Sequence, residues 1–244
     1  MQTREQLREQ IFATGSVDAA LGVLTGAAGK IGVHRLVAGF VRGAAQGVDG
    51  RWRLYRHRSF NFPPGWDEAW HLYNAQCPYY HACFDGRVAF DWDSVRKRTD
   101  LSPLETKAWH YLADFGLVEG FTVPVHTPGH FGFVTVVGEK SDRGWARRIG
   151  QHSERLLFLS HVFHEAAREH FPEFVEVSDD VPLSMREREC LRWAAAGKTT
   201  EEVALILGLS HETVRVYFKR AMRKMGATTR AQAVARACEM QLLS

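Results

Sequence analysis

The stretch from 183 to 225 restricts the fold of this chain more than any other, because it predicts three short helices in close succession. Two of these helices begin with the Ser/Thr-x-x-Glu pattern of a capping box, in which a hydroxyl and a carboxylate satisfy unpaired backbone N–H groups. A glycine follows each of the first two helices, where a helix stop or a tight turn needs one. In chain order these positions are Ser184 and Glu187, Gly197, Thr199 and Glu202, Gly208, and Ser210 as the third N-cap. The pattern predicts a compact helix–turn–helix unit.

The third predicted helix has an apolar face and a basic face. At about 100° per residue, its apolar residues gather on one arc: Val214, Phe218, Ala221, Met222 and Met225. The opposite arc carries Arg215, Lys219, Arg220 and Arg223, together with Val216. Exposed helices often have positive faces, so a simply solvated surface is the alternative. Four basic residues on the last helix of a three-helix unit favour DNA binding over that alternative.

Charge is distributed unevenly along the 244 residues, which carry a net charge of +3. Residues 181–244 contain 11 Lys and Arg against 6 Asp and Glu, whereas the rest of the chain has 20 against 22. A basic end on a slightly acidic body indicates a nucleic-acid partner at that end only.

The sequence favours a cytoplasmic location and no contact with a membrane. Its first ten residues are polar, which does not suit a signal peptide, and no run approaches the roughly 20 apolar residues of a membrane span. The four cysteines, Cys77, Cys83, Cys190 and Cys238, are too few and too scattered for a disulfide framework.

Ahead of the helix–turn–helix unit, helical and strand patterns alternate. Helices are predicted at 5–29, from about Pro64 through Trp66 and Trp70, at 103–115 and at 144–170; strands are predicted at 32–42, around Trp52, at 120–126 and at 131–137. This order predicts an α/β (α+β) sandwich, with helices on both sides of a central sheet. An acidic, proline-bounded segment predicts a linker at 172–180, between a sandwich at 1–171 and an all-α helix–turn–helix domain at 181–244.

Aromatic residues of the sandwich stand where a ligand cavity would need them. Trp66 and Trp70 are four residues apart and therefore share a helix face. Trp92 follows an Ala-Phe-Asp turn, and Gly120 stands at the start of a predicted strand. Spacing alone favours the alternative that these rings simply fill a hydrophobic core.

The helix–turn–helix segment resembles the DNA-binding domain of LuxR-type regulators. The matching signature positions are Glu187, Leu191, Gly197, Ser210, Thr213, Val214 and Lys224, while Tyr217 stands where many members have histidine. The resemblance implies a homodimer on a palindromic operator in double-stranded DNA, with RNA polymerase as a candidate partner. The expected DNA contacts are His211, Glu212, Thr213, Arg215, Val216, Lys219, Arg220, Arg223 and Lys224. Arg215 is expected to read bases, and the cations further along the helix, Lys224 included, to contact phosphates.

The alanine-rich end of the chain has two interpretations. It could join the two domains of a dimer, or it could pack on its own three-helix core. The residues concerned are Ala231, Val234, Ala235, Ala237, Cys238 and Leu242.

The segments FPPGWDEAW, CPYYHACFDGRVAFDW and FGLVEGFTVP resemble the autoinducer-binding domain of the same regulators. Domains of that family bind an N-acyl homoserine lactone inside an α/β sandwich, so the resemblance implies a related small-molecule signal and no other cofactor. Trp66 matches the tryptophan that donates to the lactone carbonyl, and Trp70 stands where a tyrosine usually bonds the amide carbonyl. The ligand-binding set that follows from the resemblance is Trp66, Trp70, Cys77, Trp92, Gly120 and Thr135.

Cys77 is the main departure from the family pattern. It occupies the place of the aspartate that accepts the ligand's amide N–H, and a thiol is a weak acceptor. Either Asp85 or Asp91 supplies the carboxylate instead, or the ligand is not a standard acyl lactone. A further alternative is a ligand-independent relative whose own aromatic side chains fill the pocket.

A metal site and an enzyme are the remaining alternatives. Cys77, His81 and Cys83 are zinc-ligand types, but their spacing fits no standard pair of metal-binding arms. The sequence contains no nucleophile elbow, phosphate loop or His-Glu-x-x-His pattern. We therefore expect neither a metal site nor catalysis.

Overall fold

The structure is a computed structural model that describes residues 3–42, 56–66, 70–86, 88–98, 100–127, 130–139, 142–172, 183–239 and 242–243. The chain divides into two compact units, the first formed mainly by residues before 178 and the second mainly by residues 178–244. The predicted linker at 172–180 lies, apart from its first residue, outside the described residues.

A five-stranded sheet with the order β2-β1-β5-β4-β3 forms the centre of the first unit. Its strands are β1 (Arg35–Arg42), β2 (Arg56–Phe60), β3 (Phe90–Asp91), β4 (Leu117–Thr127) and β5 (His130–Glu139). The two strands predicted near the end of the sandwich are β4 and β5, which pair antiparallel with Thr122 opposite Thr135. Because side chains alternate along a strand, neighbouring residues of this pair face opposite sides of the sheet.

Helices cover both faces of the sheet. On one face α1 (Arg4–Phe12), α2 (Val17–Gly29) and the long α6 (Trp145–His170) share a hydrophobic core with alternate residues of β4 and β5, including Val123, Val125 and Val134. On the other face α3 (Pro78–Asp85), α4 (Trp92–Arg96) and α5 (Pro103–Asp114) pack against β4. The prediction of an α/β sandwich is therefore confirmed.

One helix predicted for this unit was wrong. Two further predicted elements lie wholly or partly outside the described residues. The helix predicted at 5–29 is two helices, because the chain leaves the first at Ala13 and the Ser16 hydroxyl starts the second by accepting from the N–H of Ala19. The strand predicted around Trp52 lies outside the described residues. Trp66 and Trp70 are both helical, as predicted, but the three residues between them are not described.

Four helices form the second unit: α7 (Met185–Ala195), α8 (Thr200–Leu207), α9 (His211–Lys224) and α10 (Arg230–Glu239). Both predicted capping boxes are present, and the Ser210 hydroxyl accepts from the N–H of Thr213 at the start of α9. Gly208 is left-handed, with φ +64°, in the turn between α8 and α9. The predicted helix–turn–helix is confirmed.

The core of the second unit also includes the last helix. Val214, Phe218 and Ala221 of α9 are buried in it, together with Ala233 and Ala237 of α10. Packing on its own three-helix core is thus one role of the alanine-rich helix.

Within the described residues, no helix combines the length and the apolar character that a membrane span requires.

Candidate functional site

A small cavity lies between the sheet and the helices α3 to α5, and aromatic rings dominate its lining. The lining residues are Val37, Phe62, Trp66, Trp70, Cys77, Tyr79, Tyr80, Cys83, Trp92, Leu112, Thr122, Phe133, Thr135 and Val137. Five of the six predicted ligand-binding residues are among them, and the sixth, Gly120, stands directly behind Trp92. We call this space the aromatic cavity.

Two stacked tryptophans form part of its wall. The Trp66 and Trp70 rings stack with centroids 4.8 Å apart and planes inclined by 16°. The Tyr111 ring of α5 lies against both of them, with its centroid 6.2 Å from that of Trp66 and 6.3 Å from that of Trp70. The four-residue spacing in the sequence thus brings the two indoles together.

Trp92 is held on the sheet by contacts of its ring system and by its N–H. Its indole N–H donates to Thr122 Oγ1 at 3.0 Å, and that hydroxyl lies 2.9 Å from Thr135 Oγ1 on the paired strand. One face of the ring stacks on Tyr79, with centroids 4.1 Å apart. A Cβ atom at Gly120 would stand 2.3 Å from the Trp92 ring, so only glycine lets the indole lie this close to β4.

Gly120→Ala is expected to destabilise the first unit by about 1–3 kcal/mol, because the added methyl group forces Trp92 away from Thr122. Urea denaturation followed by tryptophan fluorescence measures the loss. Gly150→Ala is the matched control, since a Cβ at this helical position of α6 meets nothing within 4 Å. Equal stabilities of the two variants would show that Trp92 is not held against Gly120.

Two polar atoms of the lining have no hydrogen-bond partner among the described residues. They are the indole nitrogen of Trp66 and the phenol oxygen of Tyr79, and both residues are only 4% exposed. Buried donors without partners are rare and costly in folded proteins. A ligand carbonyl could accept from Trp66 here, which is the role that the resemblance assigns to this residue.

Cys77 occupies the N-cap position of α3, directly before Pro78. Its side chain is buried, and this burial raises the pKa of the thiol to about 12. Cys83 also lines the aromatic cavity, and burial raises the pKa of its thiol as well. Both thiols are therefore neutral at pH 7, and neither offers a charged acceptor to a ligand.

Neither of the carboxylates considered as substitutes lies in the aromatic cavity. Asp91 caps α4 by accepting from the N–H of Asp93 at 3.0 Å, and it accepts from the indole N–H of Trp145 at 3.3 Å. Asp85 is exposed at the end of α3. The expectation that Asp85 or Asp91 replaces the family's aspartate is therefore not supported, since no lining residue in the described part of the chain carries a carboxylate.

Both ring nitrogens of His81 have hydrogen-bond partners within the fold. Its Nδ1 lies 3.0 Å from Glu105 Oε1, and its Nε2 lies 2.8 Å from the carbonyl oxygen of Ala75. These contacts tie α3 to α5 beside the cavity. In the residues that the structure describes, no three His, Cys, Asp or Glu side chains are grouped so as to hold a metal ion.

The side chains leave little free space in the aromatic cavity. Its volume is about 40 Å³, whereas sites for small molecules usually measure about 300–1,000 Å³. Tyr79, Tyr80, Cys83 and Thr122 also line this space and are not among the predicted ligand-binding residues. Their side of α3 or of β4 is known only once the elements that face each other are known.

The basic surface of the second unit lies on the exposed side of α9. Glu212, Arg215, Val216, Lys219, Arg220 and Arg223 are all exposed there, while Val214 and Phe218 face the core. Within the described residues, the side chains of Lys219, Arg220 and Arg223 take part in no ion pair. Two of the other three predicted contacts stand at the helix start, where Thr213 bonds the cap Ser210 and His211 lies 3.0 Å from Glu201.

Lys224 has a different environment from the other cations of α9. Its Nζ lies 2.7 Å from Glu187 Oε2, and the Glu187 side chain is 3% exposed. The contact of Lys224 with phosphate stays a prediction, and in this structure its ammonium neutralises a buried carboxylate of α7. Pattern alone could not separate this lysine from its exposed neighbours.

Comparison with known proteins bears on both regions. Residues 16–167 match the family model of the autoinducer binding domain, and residues 181–237 match that of the luxR family of bacterial regulatory proteins. The crystal structure of Escherichia coli SdiA superimposes with a TM-score of 0.71 at 21% sequence identity, covering 99% of this chain and 98% of SdiA. That likeness shows a shared fold.

Two relatives are more similar in sequence. The transcriptional activator protein VanR of Vibrio anguillarum is 33% identical over 125 residues, which are 50% of this chain and 50% of VanR. RpaR of Rhodopseudomonas palustris, an HTH-type quorum sensing-dependent transcriptional regulator, is 32% identical over 161 residues, which are 63% of this chain and 60% of RpaR. The matches thus span between about half and three-fifths of these relatives. Since the two family models together cover most of its length, the chain belongs to the luxR family of bacterial regulatory proteins and contains that family's autoinducer binding domain.

Proposed function

We propose that this protein is a transcriptional regulator that binds double-stranded DNA through α9 and responds to a small molecule in the aromatic cavity. The observation that carries the proposal is the set of three exposed cations on α9, Lys219, Arg220 and Arg223. The opposite face of the helix is buried in the core. Phosphate groups of a duplex are the partners that such an unpaired basic surface fits. Because the proposed partner is chromosomal DNA, we place its action in the cytoplasm.

The proposed reading of DNA divides α9 into two parts. Arg215, Val216 and Glu212 stand near its N-terminal end, where guanidinium, methyl and carboxylate groups can meet base edges in the major groove. The cations further along α9, Lys219, Arg220 and Arg223, contact phosphate groups of the DNA backbone. A single recognition helix provides little specificity, so we propose a homodimer on a palindromic operator, with RNA polymerase as a further partner. The domain boundaries proposed for this arrangement are 1–171 and 181–244.

Arg215→Ala is expected to weaken binding to the cognate operator by about 1–3 kcal/mol, because one base-reading side chain is removed. Binding to random DNA should change much less. Lys219→Ala is the matched control and should weaken both kinds of binding alike. Fluorescence anisotropy at fixed salt, with an operator selected from a random-sequence pool, measures both affinities. Equal losses on operator and random DNA in Arg215→Ala would contradict the base-reading role.

For the signal, we propose an N-acyl homoserine lactone or a related carbonyl compound. The unpartnered indole N–H of Trp66 supports it, because a carbonyl oxygen is the acceptor that this donor needs. The neutral Cys77 argues against tight binding of a ligand that depends on donating its amide N–H to a carboxylate.

The second candidate function is regulation without a ligand. The volume of about 40 Å³ favours it, because the aromatic side chains themselves occupy the cavity. Native mass spectrometry of the purified full-length protein separates the two candidates. A bound organic molecule supports a sensor, and bare protein that still binds its operator supports a ligand-independent regulator.

A further inference from the structure

A second cavity lies on the opposite face of the sheet, in the angle between α1 and α6. Its volume is about 290 Å³, against about 40 Å³ for the aromatic cavity. This value is close to the lower limit of about 300 Å³ for small-molecule sites. The two cavities share no lining residue, since neighbouring residues of β4 and β5 face opposite sides of the sheet.

The interior of the second cavity is mainly apolar, although Thr127, His161 and the buried His164 also line it. Phe12 of α1, Phe40 of β1, Val125 of β4 and Phe158 of α6 line it, so four elements of the fold contribute to one surface. Phe40 and Val125 are buried, at 2% and 3% exposure, and form the inner end. Such walls favour an aromatic ring or a short alkyl group.

The lining also carries two arginines, on different helices. Arg8 of α1 lies with its guanidinium 5.1 Å from the centroid of the Phe12 ring and 3.2 Å from Glu5. Arg168 of α6 lies 2.7 Å from Glu165, which also lines the cavity. All four charged side chains are about half exposed or more, at 48% to 66%. Exposed pairs of this kind contribute little to stability, so either guanidinium can exchange its partner for a ligand carboxylate.

We propose that this second cavity binds an amphiphilic acid, a molecule with an aromatic or short alkyl body and one carboxylate. The body occupies the space lined by the phenylalanines, and Arg8 and Arg168 hold the carboxylate. The lining holds both guanidinium groups but only one of their two partner carboxylates, because Glu5 stands outside it, so a ligand carboxylate that replaces Glu5 completes the pairing of Arg8. This site is independent of the signal proposed for the aromatic cavity.

The test is isothermal titration of the full-length protein with indole-3-acetate, 4-phenylbutyrate and octanoate, each beside its primary amide. At least one acid is expected to bind at least about tenfold more tightly than its amide, because only the acid forms charged hydrogen bonds with the arginines. Arg8→Gln and Arg168→Gln should each lower the affinity for that acid by about tenfold. Arg147→Gln is the matched control, an exposed arginine of α6 outside the lining, and should leave the affinity unchanged.

Val162→Phe provides a second, charge-independent measurement. Val162 lines the cavity, and the larger ring should remove the binding of acid and amide alike while circular dichroism confirms folding. The proposal is overturned if no acid binds, if acids and amides bind equally, or if the variants of Arg8 and Arg168 behave like Arg147→Gln.

Discussion

Replacing Lys224 by alanine is expected to lower the free energy of unfolding of the helix–turn–helix unit by about 3 kcal/mol, because it leaves a buried carboxylate without its partner. Glu187 is 2% exposed, and the ammonium of Lys224 stands 2.7 Å from its Oε2. The other hydrogen bond of this carboxylate comes from the backbone N–H of Ser184, at the start of the same helix. Amide hydrogen exchange within α7 and α9 measures the change in the full-length protein.

Lys219→Ala is the control, since Lys219 is exposed on the same helix and lies outside the core. This variant should keep the stability of the unit and lose affinity for all DNA sequences. If Lys224→Ala instead kept full stability and weakened DNA binding as Lys219→Ala does, Lys224 would be a phosphate contact and the ion pair would be unimportant.

The pH dependence provides a second readout of the same pair. Burial raises the pKa of Glu187, but the hydrogen bonds from Lys224 and Ser184 outweigh this effect and hold the pKa below its ordinary value of 4.5. A carboxyl group with a lowered folded-state pKa stabilises the protein above its unfolded pKa and ceases to do so as the pH falls. The stability difference between the wild type and Lys224→Ala should therefore be full at pH 7 and shrink below about pH 4.5.

The helix–turn–helix unit could be predicted from the sequence because its signals are local. The capping box of Ser184 and Glu187 lies within one helical turn. Gly208 meets a local need as well, because the short turn that it forms requires a left-handed backbone. The partner of Lys224 is 37 residues away, and no local pattern identifies it. The basic arc of Arg215, Lys219, Arg220 and Arg223 is exposed, as predicted, whereas the ion pair of Lys224 with Glu187 could not be predicted from the sequence.

The aromatic cavity shows the same limit at a larger scale. The spacing of Trp66 and Trp70 indicates a shared face, which the structure contains. The place of Trp92, however, depends on which residue of β4 lies beneath its ring and on the pairing of Thr122 with Thr135. Pairing register is set by the whole sheet, so the sequence indicates the aromatic residues without their contacts.

Helical spacing of apolar residues also does not show where the buried face of a helix begins. Leu104 continues the four-residue spacing of the buried Ala108 and Leu112 in α5, yet its side chain is 62% exposed. Leu104 stands in the first turn of α5, directly after Pro103 and the cap Ser102. The apolar period identifies a helix better than it identifies the limits of its buried stripe.

Cys77→Asp is expected to raise the affinity for N-acyl homoserine lactones by about 1.5–3 kcal/mol, because a carboxylate accepts the ligand's amide N–H far better than a neutral thiol does. The usual objection is that a buried charge without a partner destabilises the protein. Here residue 77 is the N-cap of α3, so its side chain stands at the positive end of an eight-residue helix. An aspartate is also a preferred N-cap residue, and the variant should therefore fold.

The measurement is a thermal-shift titration of wild type and variant with a panel of lactones of different acyl length. Cys77→Asn is the matched control, because it has a similar size and can cap the helix but carries no charge. We expect weak shifts in the wild type, intermediate shifts in Cys77→Asn and the largest shifts in Cys77→Asp. Tight lactone binding by the wild type that Cys77→Asp leaves unchanged or weakens would contradict the prediction. Another residue would then receive the amide, and the correspondence between Cys77 and the family's aspartate would have to be abandoned.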